Sequence, residues 1–181
     1  FIPQEKYFIL SPTKNYKWEM GFLDPRVYAE FIVYIYKKQK IVPVIIGTEE
    51  DNLIIKKITR HISKYIHYYN LTGQTTIKDL IPLINNSNFV VANDNGIHHL
   101  SNFLNVRTLT LYNFSSYEVY NWSNKNSEYI FNPVYSCMPC VGNQNGPFDN
   151  YPFKCPWKVR CKNTISAKNI VSKLEELRWI I

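Results

Sequence analysis

With 181 residues, 45% of them hydrophobic, the chain has the material for one domain around a single buried core. Its formal net charge of +7 favours an anionic ligand, a nucleic acid or an acidic membrane surface without choosing among them. No apolar run reaches the roughly 18 residues of a membrane-spanning helix and no block of about five like charges forms a basic arm, so a soluble domain is expected.

The chain opens on Phe1-Ile2-Pro3, without an initiator Met or a charged-then-apolar leader, and therefore reads as a piece of a longer polypeptide. Tyr7 to Ser11 (YFILS) is a first strand. Asp24-Pro25 then supplies an N-cap and a proline at the first helical position, opening a helix that runs to about Gln39. Val42 to Ile46 (VPVII) is a second strand, ending at Gly47, and Glu49 to Tyr65 spaces Leu53, Ile54, Ile58 and Ile62 as an amphipathic helix. A weaker strand around His67 to Asn70 leads to a helix capped by Thr76 with Asp79 three residues on, which Pro82 should kink or shorten. Phe89 to Ala92 is a fourth strand, Ile97 to Leu104 a short helix, and Thr108 to Tyr112 (TLTLY) a fifth strand.

Strands alternating with helices predict an α/β fold, a Rossmann-like parallel sheet with flanking helices. After Asn113 the chain turns loop-rich and carries all four cysteines; this tract is expected to be too polar and irregular for a sixth βα unit. Ser166 caps a last helix, Ala167 to Arg178. The expected organisation of the single domain is a βα core over 1–116, a cysteine-containing loop segment over 117–165 and a C-terminal helix over 166–181.

Ligands of open parallel sheets bind beyond the carboxyl ends of the strands, where helix N-termini present free N–H groups. The loops after the first, third and fourth strands are the candidates. After the fourth stands Asn93-Asp94-Asn95-Gly96-Ile97-His98-His99-Leu100. Gly96 lets the backbone approach a diphosphate, and the amides around Asn95 and Gly96 can donate to its oxygens. The Asp94 carboxylate would repel phosphate; it reads as an orienting group, a ligand for a sugar or ribose hydroxyl, or a plain N-cap. His98 and His99 are candidates too, with a histidine packed under the sheet as the alternative. The loop Ser11 to Trp18 adds the Thr13 hydroxyl and the cations Lys14 and Lys17, unless it is simply a solvated basic loop.

Cys137, Cys140, Cys155 and Cys161 are spaced C-x2-C-x14-C-x5-C. A C-x-x-C knuckle with a second thiol pair in a loop-rich tract suits a structural zinc or iron. Two disulfides or unpaired buried thiols are the alternatives.

The run VVANDNGIHHLSNFLNVRTLTLYNFSS resembles the signature of glycosyltransferase family 9, the ADP-heptose:lipopolysaccharide heptosyltransferases: a strand, then Asp, a small residue, Gly, two variable residues and His. NLTGQTTIKDLIPLINNSNFVV is similar to the family's Asn-Leu-x-Gly-x-Thr segment, and SPTKNYKW to its Thr-containing loop ending in Lys-x-Trp or Lys-Trp. The three occur in the family's order and cover Tyr7 to Ser116. The resemblance implies the C-terminal, nucleotide-sugar-binding half of a GT-B enzyme. By it, Thr13 and Lys17 hold the donor phosphates, Asp94, Asn95, Gly96 and His99 surround the diphosphate and donor sugar, and the segment near Thr75 edges the base. His98 is incidental. Asn95 departs from the family's Ser or Thr, which puts the donor sugar in doubt, although an amide can still donate to a phosphate.

The resemblance further implies inverting transfer of heptose from ADP-heptose to lipopolysaccharide core or a protein, without a catalytic metal. The general base belongs to an N-terminal domain that these residues lack, so the chain alone is expected to be inactive. It implies a cytoplasmic enzyme with at most peripheral contact to the inner membrane, where thiols stay reduced, which disfavours disulfides. In the autotransporter heptosyltransferase branch four cysteines form an iron-binding finger. Three other readings compete: a noncatalytic interaction domain that keeps the sugar-nucleotide fold, a basic, aromatic-rich nucleic-acid module, and a GT-B epimerase. No nucleic-acid partner is expected, because the cations do not cluster around the cysteines, and an epimerase would need acidic catalytic residues that are not in register.

Overall fold

The structure is a computed structural model describing residues 1–13, 22–62, 66–122, 124–140, 155 and 158–181. Six strands form one parallel sheet: β1 (Tyr7–Ser11), β2 (Val42–Ile45), β3 (Tyr69–Asn70), β4 (Val90–Asn93), β5 (Thr108–Tyr112) and β6 (Ser127–Phe131). Their order is β3-β2-β1-β4-β5-β6. The chain moves outward from β1 to β3, then returns to lay β4 against the other side of β1, with Ile9 beside both Val44 and Val90. The strand order reverses at that junction, where open α/β sheets bind their ligands.

β1, β2, β4 and β5 are buried at every position, as strands covered on both faces must be, and their nearly continuous apolar runs follow from that. Phe8, Leu10, Val91, Leu109 and Leu111 face a core completed by α1 (Pro25–Gln39), α2 (Asn52–Arg60) and α6 (Ala167–Glu176). Tyr7, Ile9, Val44, Val90 and Ala92 face the other way, toward α3 (Ile77–Asn85) and α4 (Gly96–Phe103). Phe8 stacks on Phe89 at 5.2 Å and meets the edge of Phe31 at 5.3 Å, tying α1 to the sheet.

α1 begins and ends where its sequence signals lie. The Asp24 side chain accepts from the Arg26 N–H, Pro25 takes the first helical position, and the left-handed Lys40 closes the last turn. A single 3₁₀ turn, Glu49–Asp51, precedes α2, which ends at Arg60, short of the expected Tyr65; residues 63–65 lie outside the described ones. α3 carries the Thr76–Asp79 capping box and runs through Pro82 to Asn85. α6 starts at the Ser166 cap and stops two residues before Arg178, which adopts φ 55°.

The tract after Asn113 is not only loop. A four-residue helix, α5 (Tyr117–Tyr120), leads to β6, which pairs in parallel register with β5 from Thr108–Ser127 to Tyr112–Phe131. The expectation of five strands is corrected to six. Ser-Glu-Tyr-Ile-Phe alternates well enough for an edge strand: Ile130 packs on the main core, while Tyr129 contacts Tyr112 and stacks on Tyr117 at 4.5 Å.

Candidate functional site

An open cleft of about 900 Å³ lies beyond the carboxyl ends of β1 to β4, at the reversal point of the sheet. Ser11 and Thr13 line it from β1, and Ile46 to Asp51 from the loop after β2. Gly73 and Thr75 line it from the turn after β3, with Ile77 and Leu80 of α3 beyond them. Asn95, Gly96, Ile97 and Leu100 complete the wall at the start of α4.

Asn95 builds the β4–α4 corner. Its Oδ1 accepts from the N–H groups of Ile97 (2.9 Å) and His98 (3.2 Å), capping α4. Its Nδ2 donates to the Ser11 hydroxyl (2.9 Å) and the Thr13 carbonyl (2.6 Å). The amide expected to reach a phosphate is therefore engaged at both ends inside the protein. What the corner offers an anion is main chain: the N–H of Gly96, the first residue of α4, has no partner within the helix.

A Cβ added at Gly96 would meet nothing within 4 Å, and its φ is not left-handed. Neither packing nor backbone conformation requires glycine there; the open space belongs to whatever enters the cleft. Gly73 and Gly47 have internal reasons. Gly73 sits at φ 72° and donates to the Gly47 carbonyl at 2.9 Å, and a side chain on Gly47 would come within 2.8 Å of an Asp51 carboxylate oxygen. That carboxylate accepts from the Thr48 N–H and hydroxyl, leaving Glu49 and Glu50 exposed on the cleft wall.

The sequence reading passed over this β2–α2 loop, although a strand ending at Gly47 followed by three acidic residues was its signal. The cleft is consequently polarised, with helix N–H groups at the β4 side and carboxylates at the β2 side.

Tyr28, fully buried on α1, joins the other walls. Its hydroxyl accepts from the Leu23 N–H at 2.9 Å and lies in donating range of the Pro12 carbonyl (2.9 Å) and Asn93 Oδ1 (2.8 Å).

Of the residues expected to bind the donor, Thr13, Thr75, Asn95 and Gly96 share the cleft wall. Asp94 and His99 stand behind its β4 side. The Asp94 carboxylate, 3% exposed, has His98 Nδ1 at 3.6 Å and His99 Nε2 at 3.9 Å. His98 is wholly buried with its Nε2 3.4 Å from the Tyr112 hydroxyl, in keeping with a packing role. Burial, with Asp94 adding to it, pushes the Tyr112 phenol well above its ordinary pKa. Trp122, which sequence reasoning missed, donates from Nε1 to His99 Nδ1 at 2.9 Å. Lys17 lies outside the described residues, and with it the expected convergence of that cation on the cleft.

The four cysteines are free and share one apolar cluster with Phe114, Met138 and Val159. The Cys140 N–H donates to the Phe114 carbonyl at 2.7 Å, pinning the knuckle just past β5. Burial first, then the neighbouring thiols, pushes Cys140 up to about 12 and Cys161 to about 11. Each feels the charge of Cys137 and Cys155, so the four thiols lie near one another. Among the described residues, only Asp94, His98 and His99 already hold their ligand atoms within 4.8 Å of one another.

A parallel sheet of this order, with a polarised cleft at its reversal point, defines a Rossmann-like α/β domain. The model of glycosyltransferase family 9 (heptosyltransferase) matches residues 8–150, and the chain belongs to that family. No curated protein matches it in sequence. Among solved structures it is similar to E. coli ADP-heptose LPS heptosyltransferase II, with TM-score 0.75 and 17% identity over 97% of this chain and 47% of that one. It is similar to E. coli heptosyltransferase WaaC with ADP at TM-score 0.68 and 14% identity, over 97% and 46%. The dodecameric iron-containing heptosyltransferase TibC, in complex with ADP-D-β-D-heptose, gives TM-score 0.73 and 14% identity over 98% and 46%; TibC comes from enterotoxigenic E. coli H10407. The chain thus spans about half the length of these structures and shares their α/β fold. No described helix is long and apolar enough to cross a membrane.

Proposed function

We propose that the chain is the donor-binding part of an inverting glycosyltransferase that takes a sugar from a nucleoside diphosphate, ADP-heptose being the donor of choice. The observation that carries this reading is the open space at Gly96, where a helix N-terminus meets the cleft and no described residue fills it. WaaC with ADP and TibC with ADP-D-β-D-heptose support the nucleotide and the sugar.

The donor lies along the sheet. Its base occupies the apolar stretch near Thr75, Ile77 and Leu80, and its ribose hydroxyls face Glu49 and Glu50, as a carboxylate after the second strand does in dinucleotide-binding folds. The diphosphate meets the Gly96 N–H and Thr13, with Lys17 as the cation of the same group. The sugar points toward Asp94 and His99. As the glycosidic bond breaks, negative charge grows on the leaving diphosphate. Oriented N–H groups and a cation there stabilise the transition state more than the bound donor, which is what raises a rate.

The general base and the lipopolysaccharide or protein acceptor belong to residues beyond these 181, so the chain by itself binds donor and does not transfer. Cytoplasmic placement, with at most peripheral membrane contact, follows from the donor. Residues 117–165 form the metal-binding segment between the core of 1–116 and the helix of 166–181. Cys137, Cys140, Cys155 and Cys161 hold iron or zinc there: four thiols in one apolar cluster suit either ion, and the iron of TibC favours iron.

Titration with ADP, UDP and GDP, following thermal stability, tests the donor site. Preferential stabilisation by ADP that disappears in Lys17→Ala is expected. Equal indifference to all three nucleotides would replace this reading with that of a noncatalytic interaction domain.

A further inference from the structure

We infer that Trp122 is a positioning residue that fixes the tautomer of His99, placing its ring proton on Nε2 and turning it toward Asp94. An indole N–H can only donate. At 2.9 Å from Trp122 Nε1, His99 Nδ1 must therefore supply a lone pair, and a neutral imidazole has one N–H, left for Nε2. Nε2 is the nitrogen that faces Asp94 Oδ1.

The surroundings leave the ring little freedom. His99 lies between the His98 ring, 4.2 Å away, and the indole of Trp122, 6.3 Å away. Its own N–H donates to the Asn95 carbonyl, so it occupies the first turn of α4, directly above Gly96. Helical side chains lean toward the N-terminus, which brings this imidazole over Asp94, behind the β4 side of the cleft.

The same bond decides what the Asp94, His98 and His99 set can do. Their ligand atoms are close enough for a metal ion, yet a proton on His99 Nε2 occupies the lone pair that a metal would need. With that proton in place, the set turns a ring N–H of His99 toward the Asp94 carboxylate. With the sugar of the proposed donor lying toward Asp94 and His99, the tautomer sets the polarity of the pair that it meets. That last consequence rests on the donor-site reading; the tautomer does not.

The test uses ¹⁵N-histidine-labelled protein, with the His99 ring signals assigned against His99→Gln. The wild-type chain should show His99 with Nδ1 unprotonated and Nε2 protonated. Trp122→Phe, which keeps an aromatic ring on this partly exposed position, should admit the Nδ1–H form and weaken ADP binding by about threefold to tenfold, the range of one hydrogen bond. A wild-type spectrum with Nδ1 protonated, or a Trp122→Phe spectrum unchanged from it, would overturn the assignment. The wild-type measurement stands whether or not the variant folds. Should the expected tautomer appear in a chain that ignores every nucleotide, the assignment of Trp122 holds and the donor site is what fails.

Discussion

The side-chain amide of Asn95 donates to the main-chain carbonyl of Thr13 at 2.6 Å, so the residue that opens α4 also holds the loop leaving β1. Two walls of the cleft are fixed to each other by one side chain. Its role is to set where the Gly96 N–H and the Thr13 hydroxyl stand.

Asn95→Ala removes both the helix cap and the link to β1, and should cost about 1–3 kcal/mol of stability. Asn95→Ser keeps an oxygen able to cap α4 while losing the reach to Thr13, and should cost less. Thermal denaturation with and without ADP measures both; equal losses in the two variants would mean that the cap on α4 contributes nothing.

Gly96→Ala separates stability from binding. The added methyl finds open space, and alanine favours a helix over glycine by about 0.5–1 kcal/mol, so the melting temperature should hold or rise. ADP affinity should fall by roughly tenfold, about 1.4 kcal/mol, since the methyl stands where the diphosphate approaches. Calorimetric titration showing undiminished affinity would remove the anion from this corner.

Acid should expose the start of α1. The Arg26 guanidinium holds Asp24 below its ordinary carboxylate value; burial opposes it, and the Arg26 N–H adds a lesser pull in the same downward direction. A lowered folded pKa stabilises the fold above the unfolded value, near 3.8, and that gain is lost as pH falls through the folded value. Asp24→Asn should therefore melt slightly below the wild type at neutral pH, by under about 1 kcal/mol for so exposed a pair, and match it below that window. A gap that persists at low pH would trace to packing instead.

Purified protein should carry close to one iron or zinc ion per chain, and Cys140→Ser should lose it. Uptake must displace protons from Cys140 and Cys161, held at about 12 and about 11 in the metal-free fold, so binding should release protons and tighten as pH rises. Chelation should lower the melting temperature and leave ADP affinity unchanged; a parallel loss of ADP binding would couple the cysteine cluster to the cleft.

Much of this was legible in the residues because parallel strands and helix caps write themselves locally. YFILS and TLTLY could only be buried strands, and Asp24-Pro25, Thr76 with Asp79, and Ser166 marked helix starts that the fold uses. Gly96 and Asn95 could be placed on a cleft because a strand-to-helix corner presents its residues there whatever the sequence elsewhere. β6 was not legible: it is half-buried at the sheet's edge, and its Ser-Glu start reads as loop until β5 is there to pair with it. The β2–α2 loop was passed over because nothing local tells that Asp51 turns back onto Thr48 and leaves Glu49 and Glu50 on the cleft wall. The Trp122 to His99 bond joins residues 23 apart, a pairing that no local pattern announces.

The phenol oxygen of Tyr28 has a consequence for Lys17. It bonds to Pro12 on one side of residues 14–21 and to Leu23 on the other, so both feet of that segment stand on a single atom, beside the end of β4. A core residue of α1 thus fixes the described residues on either side of the segment that carries Lys17, and drift in that helix's opening turn would move Thr13 with them.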